Sequence, residues 1–172
     1  MDERDTLLWQ LGMTYSLFQI VASGMTDEEA LRPPAAGAWS VRLYEGGRWR
    51  ADRADEEPDP APPTTAAWLL WHMGWWWSDV TGRAFGDGGV QPDEVPWPGS
   101  VVAAIARVED CHARWKTGLE KASADDFAST SLGDRCWPLR GLPFSRVVAW
   151  VNGELMKNTA ELGATRRFLG AV

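Results

Sequence analysis

Residues 68–77 read WLLWHMGWWW, and the fold turns on how this stretch is placed. At 100° per residue, His72 lies between Leu69 and Trp76 on one side and Trp68 and Trp75 on the other, while Leu70, Gly74 and Trp77 occupy the opposite side. The helix is apolar nearly all round, so it must be covered on both faces: by the rest of a bundle and, on the surplus tryptophan face, by a partner subunit. A homodimer is therefore expected. His72 is then either a satisfied core histidine or one wall of a site.

Three further stretches carry helical periodicity. The four helices are expected over about 3–23, 64–85, 100–122 and 144–169. Their stripes include Leu8, Leu11, Tyr15 and Phe18 in the first, Val101, Ile105, Val108 and Trp115 in the third, and Phe144, Val148, Val151 and Leu155 in the last. MTDEEALR reads as an extra helical turn capped by Thr26. Between the first two helices, WSVRLYEGGRWRAD alternates around a Gly-Gly turn, which predicts a β-hairpin insert over about 39–52. The acidic, proline-rich ADEEPDPAPPTT after it carries no packing signal, and STSLGDRCWPLRGLPF reads as an irregular crossing. Long joins between helices one and two and between three and four predict an all-α, four-helix bundle that is not a simple up-and-down stack. The 172 residues suit one domain.

Bulk composition narrows the function classes. The formal net charge of −7, with no dense Lys/Arg patch, argues against nucleic acid. No apolar run is long enough to span a bilayer. Cys111 and Cys136 match no metal or redox spacing, and the charged N-terminal stretch MDERDTLLWQ is no signal peptide, so a reducing cytoplasm is expected. Twelve tryptophans must line a core, a pocket or an interface.

The last helix carries a polar irregularity. Glu154, Asn158 and Glu161 stand at i, i+4 and i+7; Asn158 is on the apolar stripe and Glu154 flanks it. A carboxylate and an amide beside a core need partners, and bundles meet that need by gathering side chains from facing helices around a ligand or metal. His72 is the facing group. A buried hydrogen-bonded pair that sets helix register is the alternative. His112 lies on the third helix's apolar stripe, either pointing inward or bonded to a backbone carbonyl. Cys111 has no neighbour that would activate it. Glu161 is expected at the solvated end of its face, near Arg166 or Arg167.

The layout resembles the DinB/YfiT-like superfamily, which includes mycothiol-dependent maleylpyruvate isomerases. GAWSVR after the first helix, TTAAWLLWHMGWW in the second and VNGELMKNTAELGATRRFL in the fourth carry the resemblance. It implies a divalent ion, zinc or nickel, held by His72, Glu154 and Asn158, with His72 and Glu154 catalytic. It also implies a low-molecular-weight thiol such as mycothiol, attacking a small electrophile in an aromatic-lined cavity. Trp39, Arg42, Trp68, Trp76 and Asn158 are the expected ligand contacts, with Arg42 meeting a substrate carboxylate. Asn158 stands where such proteins carry a histidine. An amide oxygen is a weak, neutral ligand for zinc, so a harder ion binds weakly, or water or substrate fills in, or the metal is lost. In that last case the same cavity sequesters a small molecule without metal, in resistance or regulation.

Overall fold

A computed structural model describes residues 2–56, 58–86, 88–136 and 139–170. Its elements are α1 (Glu3–Ala22), α2 (Asp27–Leu31), β1 (Val41–Tyr44), β2 (Arg48–Ala51), α3 (Ala66–Phe85), α4 (Val101–Lys121), α5 (Ala124–Ala128), α6 (Thr130–Gly133) and α7 (Phe144–Phe168). The chain is all-α apart from the hairpin, in which Val41 pairs Ala51 and Tyr44 pairs Arg48.

Local chemistry marks the helix starts. Asp2, Thr65 and Ser100 each turn a side-chain oxygen onto the backbone N–H three residues on, opening α1, α3 and α4. Thr26 does the same for α2. Pro143 precedes α7, whose first N–H, on Phe144, donates to Ser129 O at 3.0 Å. The stretch read as an irregular crossing contains α6 and follows α5; Trp137 and Pro138 lie outside the described residues.

Four long helices form the bundle, in the order α1, α7, α3, α4 around its axis. Side-chain contacts give their directions. Asn152 reaches Leu7 O while Arg166 reaches Val21 O, so α1 and α7 run parallel. Cys111 meets Gly74 and Ser78 while Trp115 meets Phe85, so α3 and α4 are parallel too. Tyr15 stacks on His112 and Arg4 donates to Glu120 O, which makes α1 and α4 antiparallel. Trp76 meets Trp150 and Phe85 meets Phe144, so α3 and α7 are antiparallel. In chain order the bundle runs up, down, down, up. The core between the helices is filled by Trp77, Trp115, Phe18 and Phe144, none of which is exposed.

Because α3 and α4 point the same way, residues 86–100 must travel back along the bundle. The tryptophans of α3 supply the track. Trp75 Nε1 donates to Val90 O at 3.2 Å and Trp71 Nε1 to Val95 O at 2.6 Å. One turn earlier, Trp68 Nε1 donates to Asp52 O at 2.7 Å and pins the end of the hairpin. A tight exit is needed where this return begins: a Cβ on Gly82 would lie 2.1 Å from Gly88 O. Thus the surplus tryptophan face, expected from the sequence to meet a partner subunit, is covered by the chain's own segments. No helix among the described residues is long and apolar enough to cross a membrane.

Candidate functional site

His72 lies in the second turn of α3, beneath the hairpin end. Its ring stacks on Trp68 at 4.8 Å and 12°, with Trp75 and Trp71 tilted against it at 5.8 and 6.4 Å. Trp39 extends this line, 5.6 Å from Trp68; its backbone is bridged to Thr64. His72 makes no side-chain hydrogen bond among the described residues. Burial, with a smaller contribution from the Lys157 ammonium, lowers its pKa to about 4, so the imidazole is neutral at pH 7.

The facing helix α7 brings three polar side chains to the same seam. Lys157 Nζ lies 2.6 Å from Glu154 Oε2. Asn158 Nδ2 donates to Glu154 O at 2.9 Å and lies 3.5 Å from Glu154 Oε2. Asn158 Oδ1 is buried and has no partner among the described residues. Such an oxygen costs free energy until a donor reaches it, which makes it the one atom of the cluster that calls for a ligand. No direct hydrogen bond joins His72 to Glu154 among the described residues; Lys157, paired with Glu154, acts on His72 through its charge. Lys157 was not singled out in the sequence. Its position three residues after Glu154 was the available signal, since that spacing puts two charges on one helical face.

The other expected ligand contacts divide. Trp39 and Trp68 belong to the aromatic line. Trp76 is buried against Trp150, with Nε1 unpartnered. Arg42 is already engaged: its guanidinium lies 2.8 Å from Asp52, whose carboxylate also accepts from Ser40 N at 2.9 Å. It braces the hairpin. Glu161 accepts from Thr64 Oγ1 at 3.1 Å, while Arg166 turns away to Glu29.

His112 sits apart, stacked on Tyr15 at 3.6 Å between α1 and α4, its Nε2 buried without a partner and its pKa lowered to about 4 by burial. Cys111 is buried 3.3 Å from Ser78 Oγ, and burial raises its pKa, which suits packing and not nucleophilic attack.

Three of the cavities among the described residues open elsewhere. One of about 450 Å³ is lined by Trp39, Tyr44, Arg50, Asp52 and Arg53, and one of about 570 Å³ lies between β2 and the Pro92–Trp97 segment. A third, of about 640 Å³, lies between the C-terminal ends of α3 and α4. His72, Glu154 and Asn158 line none of the three. The first opens onto Trp39, at the outer end of the aromatic line.

The family model of the DinB superfamily matches residues 10–162, which takes in α3, α4, most of α1 and α7, and the polar seam. The chain belongs to the DinB superfamily. No curated protein and no solved structure shows significant similarity to it.

The metal that the DinB resemblance implies can be set against the residues present. No three His, Cys, Asp or Glu residues gather into a possible metal site among the described residues. The set in this DinB chain is one neutral imidazole, one carboxylate already paired with an ammonium, and one amide oxygen. Lys157 adds a positive charge where a cation would bind. Zinc and nickel prefer imidazole or thiolate nitrogen and sulfur in greater number, so these residues do not fit a resident ion of that kind.

Proposed function

We propose that this DinB-superfamily protein binds a small aromatic molecule bearing a hydrogen-bond donor, in the seam between α3 and α7, without a resident metal. The observation that carries this reading is Asn158 Oδ1, a buried acceptor with no donor among the described residues, beside the Glu154 carboxylate on the helix that packs against the one bearing the indole-stacked His72. The ligand ring packs along the line Trp39, Trp68 and His72, and its N–H or O–H meets Asn158 Oδ1. Lys157, whose side chain is 59% exposed, swings aside to admit it. The role is sequestration, in resistance or regulation.

Thiol transfer is less well supported. It needs a thiolate at neutral pH, and an imidazole with a pKa of about 4 is a poor base for a thiol. The donor set is also a poor match for the zinc or nickel ion that would do that work.

Tryptophan fluorescence and thermal-shift titrations with matched pairs test the proposal, each pair being a phenol, indole or aniline and its methylated counterpart without the donor. Donor-bearing members are expected to quench fluorescence and raise Tm, and Asn158→Leu to abolish both effects. A flat response across the panel would overturn binding. Turnover of an electrophile with a low-molecular-weight thiol, dependent on an added divalent ion, would overturn the metal-free role in favour of transfer.

A further inference from the structure

The hairpin and the returning 92–97 segment enclose a cleft of about 570 Å³, lined by none of His72, Glu154 and Asn158. Its side-chain charge is one-sided. Arg48, Arg50 and Arg53 line it, against the single carboxylate of Asp93 among the described residues. That carboxylate is taken up by Arg53, 3.1 Å away. Arg48 and Arg50 stand two apart on β2 and so share one face of the strand. Neither forms an ion pair among the described residues. Arg50 has the Tyr44 ring instead, 5.4 Å from its guanidinium carbon.

This arrangement works against the hairpin. Arg42 and Arg50 are directly opposite in the ladder, and like charges so placed repel. Asp52 offsets the charge of Arg42 and leaves that of Arg50 unmet. The backbone beside them offers little relief, since Val95 O already accepts from Trp71 Nε1 and Pro96 O from Arg107. Indoles make up much of the remaining lining. Trp71 and Trp97, 4% and 3% exposed, form the floor, and Trp49 beside them is half-buried. Guanidinium forks over an indole floor suit an aromatic body that carries an oxyanion. The volume lies within the range of small-molecule sites.

We propose that this cleft is a second binding site, for a small aromatic oxyanion: a carboxylate or phosphate on an aryl body. Arg48 and Arg50 donate paired N–H groups to the anionic oxygens, and Arg53 adds a third positive charge beside them. The ring lies against Trp49 and the indole floor. Arg50 and Arg53 also line the cavity at Trp39, whereas Arg48 lines this cleft alone of the three. Arg48 therefore reports on this site and not on its neighbour. The net charge of −7 gives the protein no general attraction for anions, so binding must come from these local contacts. An oxyanion accepts hydrogen bonds and needs no donor of its own, which sets this ligand apart from that of the α3–α7 seam.

Calorimetric titration of the full chain at neutral pH and low salt tests this, with naphthoate, naphthyl phosphate and the methyl ester of naphthoic acid as probes. Both anions are expected to bind, and the neutral ester is not. Either order of affinity between the two anions supports the site and names its oxyanion. Arg48→Gln and Arg50→Gln are each expected to weaken binding roughly tenfold, with unchanged far-UV circular dichroism, since a charge-assisted hydrogen bond is lost. Arg146→Gln removes the same charge from an exposed position at the start of α7, and Asn158→Leu alters the seam; both are expected to leave the affinity unchanged. Binding of neither anion, or equal binding of the ester, would overturn the proposal. So would an affinity untouched by Arg48→Gln and Arg50→Gln, or a loss as large in Arg146→Gln or Asn158→Leu.

Discussion

Asn158 combines a good partner on one side with none on the other. Its amide N–H is held by Glu154 O, but its oxygen is sealed from water and unbonded. In the proposed binding role, such a residue trades stability for function. Asn158→Leu removes the orphaned oxygen and keeps the volume, so the free protein is expected to gain roughly 1 kcal/mol, read by urea denaturation, while losing ligand binding. A destabilised variant would mark Asn158 as a structural register device. The two histidines give a second expectation at this scale. Both have folded pKa values of about 4 against 6.5 for the free group, lowered chiefly by burial. The folded chain therefore binds fewer protons than the unfolded one between these values. Stability is full above about pH 6.5 and falls as pH drops towards 4, by on the order of 2–3 kcal/mol for His72 alone. Thermal melts should show a shallower decline over that window in His72→Gln. The placement of His72 on one helix and of Glu154 and Asn158 one turn apart on another was legible from helical spacing. The role of Arg42 was not, because its partner Asp52 lies ten residues away across a hairpin and only the folded register brings them together.

At the scale of the element, α3 does two jobs with one composition. Its inner face fills the core with Leu69, Leu70, Met73 and Trp77. On its outer side Trp68, Trp71 and Trp75, at i, i+3 and i+7, act as hydrogen-bond pegs for the hairpin and the return segment. Replacing Trp71 by Phe keeps the ring and loses the peg to Val95 O. The expected cost is about 1–2 kcal/mol, since the carbonyl is left unpaired, with faster amide hydrogen exchange over residues 90–97. Unchanged exchange there would show that packing alone holds the segment. The four long helices and the hairpin were readable because each repeats its pattern over enough residues to show a period. α5 and α6, five and four residues long, are too short to show one. The destination of the indole N–H groups was equally hidden. Tryptophan spacing on α3 predicts an apolar outer face, yet a partner subunit and the chain's own crossover would cover it in the same way.

At the scale of the whole molecule, a buried ion pair locks the end where α1, α2 and α7 meet. The Arg166 guanidinium reaches both Glu29 oxygens and the carbonyls of Val21 and Ser23, with both charged side chains under 10% exposed. Glu29→Gln leaves the guanidinium short of a counter-charge, and an expected loss of about 3–5 kcal/mol would show as a lower urea midpoint. The pair spans 137 residues, so no local spacing announces it. The same long-range geometry sets the candidate seam. Up-down-down-up topology makes α3 and α7 antiparallel neighbours and so sets His72 opposite the α7 segment of Glu154 to Asn158, with the Lys157 ammonium near enough for its charge to act on the imidazole. What this seam holds is most directly decided by elemental analysis of tag-free protein after incubation with zinc or nickel and exhaustive dialysis. The expected result is no retained metal in the wild type, and a stoichiometric ion only in Asn158→His, where a second imidazole joins His72 and Glu154. A stoichiometric ion in the wild type, lost in His72→Ala, would contradict a metal-free binding seam.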